Sequence, residues 1–547
     1  MTDLTWTAPG PGQWTAAIDH FARPMTPIAQ DLFATTFSSG FRKAFDELGA
    51  PLDTLDMRFV NGVSYVRPKP VVDKPGSAPP PWPILRLACL AHPTLRRRNK
   101  TAKETMTGGW RRNADRWWNV QRDQYLAANR AIQAVDLAAL DDDALLAHLD
   151  EATDHLHDGL HLHFEISPLE VMPFGLLCVA AEPWGITPEE LLDVLVGASP
   201  ATTEPMRALE PLRRELAAHD CRPDTIDDIR SCSDEARRLL DDWLADRSWI
   251  VTSGYDLDCL TLGELPQVIV AAVLADAPPD THPDPAAPFQ DRVPPNEWQR
   301  FTELVADARA AFALRDDNGP LTGEWPTGLV RRALLEVGGR LVDRGLLDDP
   351  EPATSATREE LTRALAGDPD AARSMTERQA ARRSLDVSEI PSVLGEAEST
   401  PDLRGLPHAL RLGTQASLVI LDLELAADRR RDATATATTG AVVGYGIGEG
   451  LVRGRARVAT DPDDLETLEP GDVIVTAATS PTWNMVLAAA SGLVVEEGGL
   501  TGHAAIVSRE LGLPALIGAK GATRLIPDGA EVELDTVTGE ARVLSGG

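Results

Sequence analysis

The chain has 547 residues, 84 of them acidic and 52 basic, which gives a formal net charge of −32, and 43% of its residues are hydrophobic. This length predicts two or three domains, and the acidic surface argues against nucleic acid or an anionic membrane as the main partner. The N-terminus lacks a basic segment followed by an apolar one, so neither a signal peptide nor an apolar run of membrane-spanning length is expected.

The cysteines predict a reduced, cytoplasmic protein without a zinc knuckle, because they are scattered and form no C-x-x-C pair. The five cysteines are Cys89, Cys178, Cys221, Cys232 and Cys259. Alanine, arginine, aspartate and proline are abundant and lysine is scarce, a bias common in high-GC bacteria that favours no particular function.

The N-terminal part of the chain combines a helix, a hairpin and a basic aromatic stretch. Helical periodicity covers 28–48, and Asn61-Gly62 between two short apolar runs predicts a β-hairpin. A proline-rich spacer occupies 68–83, and 85–129 is rich in arginine and tryptophan. In an acidic chain this basic island either binds an anionic group or forms a solvated helix salt-bridged to acidic residues.

A long helical region follows and contains a cluster of histidines. Residues 136–247 are almost continuously helical by pattern, and 154–165 read D-H-L-H-D-G-L-H-L-H-F-E. His157 and His161 are four residues apart, so they share a helix face. Without an obvious third ligand they are not a metalloenzyme signature, and no metal site is predicted. The two histidines are either structural or supply a general base that faces a substrate.

Candidate pocket residues come next in the chain. An apolar run leads into a loop that carries Tyr255 and Asp256, a placement typical of pocket residues. Two amphipathic helices are predicted over 297–347, with Arg315 in an R-D-D-N sequence, and charged helix continues over 357–384.

The stretch 492–518 predicts a strand, a glycine turn, a helix and a second strand. Thr501 is the candidate helix N-cap, the helix is expected over about 502–511, and Gly512 is its C-terminal stop. His503 then lies in the first turn, at the positive end of the helix dipole. That position disfavours the imidazolium, so the ring is expected to be neutral and nucleophilic, and an added phosphoryl group would be stabilised there.

The same stretch reads E-x-G-G-x-T-x-H-A-A-I-V-x-R-E-L-G-x-P-A-x-x-G. It resembles the swivelling phosphohistidine domain of pyruvate phosphate dikinase, phosphoenolpyruvate synthase and rifampin phosphotransferase. The resemblance implies that His503 becomes phosphorylated, although Gly502 stands where the family usually has Ser or Thr. It extends upstream through the motifs at Gly444–Gly450, Gly454–Val458, Pro470–Val475 and Thr479–Trp483.

A second resemblance covers about residues 11–365. The motifs G-x-W-x-x-x-x-x-H-F-x-x-P-x-T-P, V-N-G-x-x-Y, G-Y-D-x-x-x-x-T-L-x-E-x-P and A-R-x-A-x-x-x-R-D-D occur in this order. They look like the substrate-binding domain of the rifampin phosphotransferase type. Ser253-Gly254-Tyr255 replaces the G-H-R that those proteins often carry, which implies an acceptor other than rifampin.

Together these patterns predict an α+β multidomain fold. A large, mostly helical substrate-binding domain is expected over 1–395, a linker over 396–440, and a small α/β swivelling domain over 441–547. The small polar residues of 427–440 are the most linker-like in the chain.

The resemblance implies a phosphotransferase in which His503 carries a phosphoryl group to a hydroxyl of a small organic molecule. Neither an ATP-grasp domain nor a phosphate loop is recognised in the sequence, so ATP and Mg²⁺ are expected to act through a separate ATP-grasp partner. The catalytic candidates are His503, His157, His161 and Asp256, and the candidates for substrate binding are Thr501, Arg509, Tyr255 and Arg315.

Two other functions are consistent with the sequence. One is a phosphate-independent natural-product enzyme, catalysing a dehydration, cyclisation or isomerisation with His503 as general acid or base; the other is a non-catalytic binding or regulatory module. A travelling domain predicts a small, fairly polar interface around His503, whereas a fixed active site predicts a large apolar one.

Overall fold

The computed structural model describes most of the chain, and everything below concerns that part. The described residues are 4–17, 23–74, 78–252, 254–275, 284–385, 390–398, 402–424, 441–448, 450–459, 464, 468–469, 471–479, 483–487 and 490–545. Ser253 and the predicted linker at 427–440 lie outside this part, so the linker stays a prediction.

The chain divides into two compact units. Unit 1 comprises Met1–Met172, Tyr255–Cys259 and Asn318–Gln415, and unit 2 comprises Pro173–Gly254, Leu260–Asp317 and Ala416–Gly547. Each unit is therefore assembled from three separated segments. The predicted division at 1–395, 396–440 and 441–547 stays a prediction.

Unit 1 is a helical assembly around a small antiparallel sheet. The sheet has the order β2-β3-β1-β4, formed by β1 Gln13–Ala16, β2 Leu52–Val60, β3 Val63–Pro70 and β4 Val393–Gly395. Its helices are Pro27–Leu48, Trp82–Ala91, Pro93–Glu104, Arg111–Arg116, Arg122–Gln133, the first part of Asp142–Ala181, Trp325–Asp343, Arg358–Leu365, Pro369–Arg383 and the first part of His408–Glu424.

The N-terminal helix and hairpin form as the sequence predicts. The helix runs Pro27–Leu48, starting with proline in its first turn and ending at Gly49, whose φ of 75° suits a residue without a side chain. Asn61 and Gly62 both have positive φ, 52° and 80°, which is the geometry of a two-residue hairpin turn whose twist matches the flanking strands.

Unit 2 combines helices with an eight-stranded mixed sheet of order β5-β12-β11-β7-β8-β9-β10-β6. The strands are β5 Ala441–Val443, β6 Tyr445–Ile447, β7 Leu451–Ala459, β8 Val473–Thr476, β9 Gly492–Val495, β10 Ala515–Ile517, β11 Glu531–Asp535 and β12 Glu540–Ser545. The helices are the last part of Asp142–Ala181, Pro188–Leu191, Pro200–Arg207, Glu210–Ala218, Ile226–Cys232, Asp234–Ala245, Pro266–Leu274, Trp298–Gly319 up to Asp317, the last part of His408–Glu424, Asn484–Leu487, His503–Leu511 and Ala522–Leu525.

Four neighbouring strands of this sheet, β7, β8, β9 and β10, are parallel. Parallel strands buried on both faces read as continuous apolar runs, and the Leu-Val-Val of β9 and the Val-Ile-Val of β8 do so. The helical domain followed by a small α/β domain, expected from the sequence, is the observed fold class.

One hydrophobic core joins the helices of unit 2 that precede residue 441 to the part that contains the eight-stranded sheet, here called the sheet part. A single cluster of buried side chains includes Leu191 and Phe301 from the helices together with Ile474, Leu493 and Val507 from the sheet part. The sheet part of this unit is therefore packed against its helices by apolar contacts.

Two sequence expectations need correction. Cys221 and Cys232 form a disulfide, with their Cα atoms 6.3 Å apart, although the cysteines were expected to be reduced. Their eleven-residue separation matches no motif; Cys221 lies after the helix Glu210–Ala218, and Cys232 is the last residue of the next helix, Ile226–Cys232. The helical segment Asp142–Trp184 also contains a window long and apolar enough to cross a membrane, but 76% of that window is buried inside the protein, as in a core helix.

Candidate functional site

His503 is the first residue of a helix that connects two parallel strands. The helix His503–Leu511 follows β9 and precedes β10, and Gly512 ends it in a left-handed conformation with φ of 63°. The N-cap is Gly502, and no side chain caps this end, so the prediction of Thr501 as N-cap is wrong. The Thr501 hydroxyl instead donates to the Glu424 carboxylate.

Both ring nitrogens of His503 are hydrogen-bonded. Nδ1 lies 2.9 Å from the hydroxyl of Thr479, and Nε2 lies 2.8 Å from Oδ1 of Asn484. Thr479 follows β8 and His503 follows β9, so the carboxyl ends of adjacent parallel strands bring these residues together, at the sheet edge where α/β proteins place ligands.

The network assigns the tautomer of the ring. The Nδ2 amide of Asn484 donates to the carbonyl oxygen of Thr202 at 3.2 Å, so Oδ1 of Asn484 faces the histidine. An oxygen acceptor at Nε2 requires a proton on Nε2, and Nδ1 then accepts a hydrogen bond from the Thr479 hydroxyl.

The environment keeps His503 neutral. Burial, together with the smaller effect of the positive charge of Arg315, lowers its pKa to about 3. Arg315 is held close because its guanidinium donates to the backbone carbonyl of Thr501 at 2.8 Å. The positive end of the helix dipole acts in the same sense.

The glycine turn before the helix is explained by a close backbone approach. A Cβ atom on Gly499 would lie 2.2 Å from the Cα of Glu424, which no side chain can accommodate. The amide of Leu500 donates to the carbonyl of Leu423 at 3.1 Å, so the turn is fixed to the end of the helix His408–Glu424. The G-G sequence therefore positions the start of the histidine helix.

Two carboxyl groups with raised pKa values, one buried and one half-buried, lie in the same unit, and the sequence did not predict either as a functional residue. Glu510 is 5% exposed, both its carboxylate oxygens share the single N–H of Gly197, and burial raises its pKa to about 7. Burial also raises the pKa of Asp316, which accepts a hydrogen bond from the Thr202 hydroxyl at 2.7 Å. Asp316 could have been found through its neighbour Arg315 in the R-D-D-N sequence, whereas no sequence signal marks Glu510.

The other sequence-predicted candidates for catalysis lie in unit 1, whereas His503 lies in unit 2. His161 Nδ1 is 2.8 Å from the hydroxyl of Ser39, and His157 is partly exposed beside Asp158.

Asp256, also in unit 1, accepts hydrogen bonds from Thr26 and from the guanidinium of Arg382. Burial and the nearby Asp258 raise the pKa of Asp256 to about 6. The roles of His157, His161 and Asp256 stay predictions.

Tyr255, a further predicted substrate-binding residue, is in unit 1 with its ring 6.2 Å from that of His163. Arg509 in unit 2 uses one guanidinium nitrogen to bind the backbone carbonyls of Leu500 and Ala505, both at 3.1 Å. Within the described part of the chain, no three His, Cys, Asp or Glu side chains are grouped so that they could hold a metal ion.

A neutral histidine at the start of a helix, at the carboxyl edge of a parallel sheet, is chemically suited to act as a nucleophile or as a general acid or base. The family described as "PEP-utilising enzyme, mobile domain" matches residues 468–539. This match supports the resemblance to PEP-utilising enzymes and rifampicin phosphotransferases that the motifs predicted.

Relatives match parts of the chain. A rifampicin phosphotransferase of Streptomyces sviceus is 43% identical over 106 residues, 19% of this chain and 12% of its own length. Another, of Streptomyces sp., is 33% identical over 215 residues, 39% of this chain and 22% of its own. Chondramide synthase cmdD of Chondromyces crocatus is 30% identical over 250 residues, 45% of this chain and 6% of its own. These matches span less than a quarter of the relatives' lengths.

Proposed function

We propose that this chain is a histidine-dependent phosphotransferase that modifies a hydroxyl group of a small organic molecule. The observation that carries the proposal is the neutral His503 at the start of its helix, within the segment 468–539 that matches the mobile domain of PEP-utilising enzymes. A neutral imidazole has a free electron pair for phosphorus, and the helix N-terminus stabilises the negative charge that it gains.

The reaction proceeds in two transfers. A ring nitrogen of His503 first attacks phosphorus of the donor, an N–P bond forms, and the donor's bond to phosphorus breaks. The acceptor hydroxyl oxygen then attacks the same phosphorus, the N–P bond breaks with its electrons returning to the ring, and a base takes the hydroxyl proton. His157, His161 and Asp256 are the sequence-based candidates for that base. A separate ATP-grasp protein, with ATP and Mg²⁺, is proposed as the donor.

Labelling of His503 tests the first transfer. The purified chain is incubated with Mg²⁺ and ATP labelled on its β and γ phosphorus atoms, with and without an ATP-grasp protein encoded beside its gene. An acid-labile, base-stable label is expected on the wild type only with the partner, and none on H503A. The same substitution at the exposed His219 should keep the label.

Transfer onward is tested with labelled protein and candidate hydroxyl compounds, with rifampicin included because the relatives are named for it. Loss of label from His503 with a matching mass increase in the compound supports the proposal. A wild-type chain that takes no label with or without the partner contradicts it.

A second candidate is a phosphate-independent enzyme in which His503 acts in place as general acid or base. The apolar core shared by the helices and the sheet part of unit 2 favours it, because a travelling domain is expected to have a small, polar interface. Turnover of a small molecule by the purified chain without nucleotide, lost in H503A, would support this function over the first.

A further inference from the structure

Asn484 connects the histidine to another part of unit 2. It is 4% exposed and begins the short helix Asn484–Leu487, which follows β8. Its amide nitrogen donates to the carbonyl of Thr202, in the helix Pro200–Arg207, and its amide oxygen accepts the proton of His503 Nε2. Both polar atoms of one side chain are therefore used, one toward the histidine and one toward the helical part.

This arrangement determines which nitrogen of His503 can react. A nitrogen that carries a proton has no free electron pair, so Nε2 cannot attack phosphorus while it donates to Asn484. Nδ1 has the free pair but accepts the hydroxyl hydrogen of Thr479 at 2.9 Å. The ring is consequently held in one tautomer and one orientation by two groups that both follow β8.

We propose that Asn484 is a positioning residue that keeps Nε2 of His503 protonated and covered, and that Asn484 must release Nε2 before a phosphoryl group can enter there. The protonation of Nε2 concerns the unmodified protein, whereas the release of Nε2 rests on the proposed phosphotransferase function. Because the other end of Asn484 is bonded to Thr202, this release is coupled to the contact between the histidine's surroundings and the helix Pro200–Arg207.

Phosphoryl transfer to Nε2 requires a change of tautomer first. The Nε2 proton is lost to water while Nδ1 gains one, which moves the free electron pair to Nε2. That pair forms the Nε2–P bond, the donor's bond to phosphorus breaks, and the leaving group takes the bonding electrons. With phosphoramidate as donor, the leaving group is ammonia.

The tautomer is measured first, on protein with ¹⁵N-labelled histidine. Wild type is expected to show His503 Nε2 as a protonated nitrogen and Nδ1 as an unprotonated one, with signals assigned by their loss in H503A. In N484A the two signals are expected to move toward an average of both tautomers. N296A, the same change at an exposed asparagine of unit 2, should leave them unchanged.

N484D is the second variant, in case N484A folds poorly. It keeps an oxygen acceptor at Nε2 but adds negative charge and removes the donor to Thr202. The Nε2 proton is expected to stay, and an imidazolium signal is expected to appear at pH 6, where wild type shows none, because a nearby carboxylate favours the charged ring. A residue that only supported the fold would produce neither change.

The protection of Nε2 by Asn484 is then measured with phosphoramidate, which phosphorylates imidazoles without a protein partner. ³¹P spectra distinguish the two phosphohistidine isomers, and H503A subtracts labelling of other histidines. The initial rate at Nε2 of His503 is expected to rise about 2- to 12-fold in N484A over wild type, the range that corresponds to one net hydrogen bond.

Either measurement can overturn the proposal. A wild-type ring protonated on Nδ1, or a tautomer that N484A leaves unchanged, excludes positioning by Asn484. An unchanged rate of phosphorylation at Nε2 in N484A excludes protection of Nε2 by Asn484. If the tautomer behaves as expected but no ATP-grasp protein or donor labels the wild type, positioning stands and the phosphotransferase function fails.

Discussion

Acid should destabilise the surroundings of His503, and replacing the histidine should remove much of that sensitivity. Burial and Arg315 lower the pKa of the folded-state ring to about 3, against an ordinary value of 6.5. Between these two pH values the unfolded chain binds more protons than the folded one. The contribution to stability is therefore complete above pH 6.5 and is lost as pH falls toward 3.

The size of the effect follows from the two pKa values. At pH 5 the unfolded-state imidazole is about 97% protonated and the folded-state imidazole about 1%, which corresponds to about 2 kcal/mol. Between pH 7.5 and 5, the free energy of opening around the site should therefore fall by about 2 kcal/mol more in wild type than in H503Q. Glutamine suits the comparison because its amide can still donate to Asn484 and accept from Thr479, but does not titrate.

Hydrogen exchange measured by mass spectrometry on peptides from 492–518 gives the free energy of opening around the site. Wild type and H503Q are compared at the same pH, so the intrinsic pH dependence of exchange cancels. H219Q, at an exposed position of unit 2, should stay within about 0.5 kcal/mol of wild type at pH 7.5, as surface substitutions do.

If the free energy of opening fell equally in wild type and H503Q between pH 7.5 and 5, the lowered pKa of His503 would be refuted. The folded ring would then titrate as it does in the unfolded chain. A ¹⁵N titration of His503 provides an independent check. The ring should stay neutral at pH 5, and a midpoint near 6.5 would show that burial does not control it.

Three further substitutions, and a fourth that should rescue one of them, test the packing of both units. E510Q should leave stability at pH 5 nearly unchanged and raise it at pH 8 by about 1–3 kcal/mol in urea denaturation, because a carboxyl with a pKa raised to about 7 weakens the fold as it ionises. G499A should lower the melting temperature of unit 2 by several degrees, since its Cβ would lie 2.2 Å from the Cα of Glu424. R382M should destabilise unit 1 by about 3–5 kcal/mol in urea denaturation, because it leaves Asp256 buried without its guanidinium partner, and D256N should restore part of the loss.

Local patterns in the sequence were sufficient for the elements that depend on neighbouring residues. The turn at Asn61-Gly62 and the stop at Gly512 each require a left-handed backbone, which the residue types reveal directly. The placement of His503 in the first helical turn followed from the same reasoning, and the match of residues 468–539 to the mobile-domain family was recognisable because the histidine motif is long and continuous.

The helix cap shows where local reasoning fails. Thr501 is a favourable N-cap by residue type, yet its hydroxyl donates to Glu424, 77 positions away, and Gly502 takes the cap position. The sequence window around the helix contains no sign of this partner, since a tertiary contact competes with the local hydrogen bond.

The sequence by itself determined that a histidine lies in the first turn of a helix between two strands, since the chemistry of a turn or a helix end depends on adjacent residues. Only the tertiary structure decided which groups surround its ring. Asn484 follows a different strand, and Thr202 and Arg315 belong to helices far away in the chain. The tautomer and the low pKa of His503 come from burial and from charges that meet only in the folded protein, and such contacts leave no periodic pattern in the sequence.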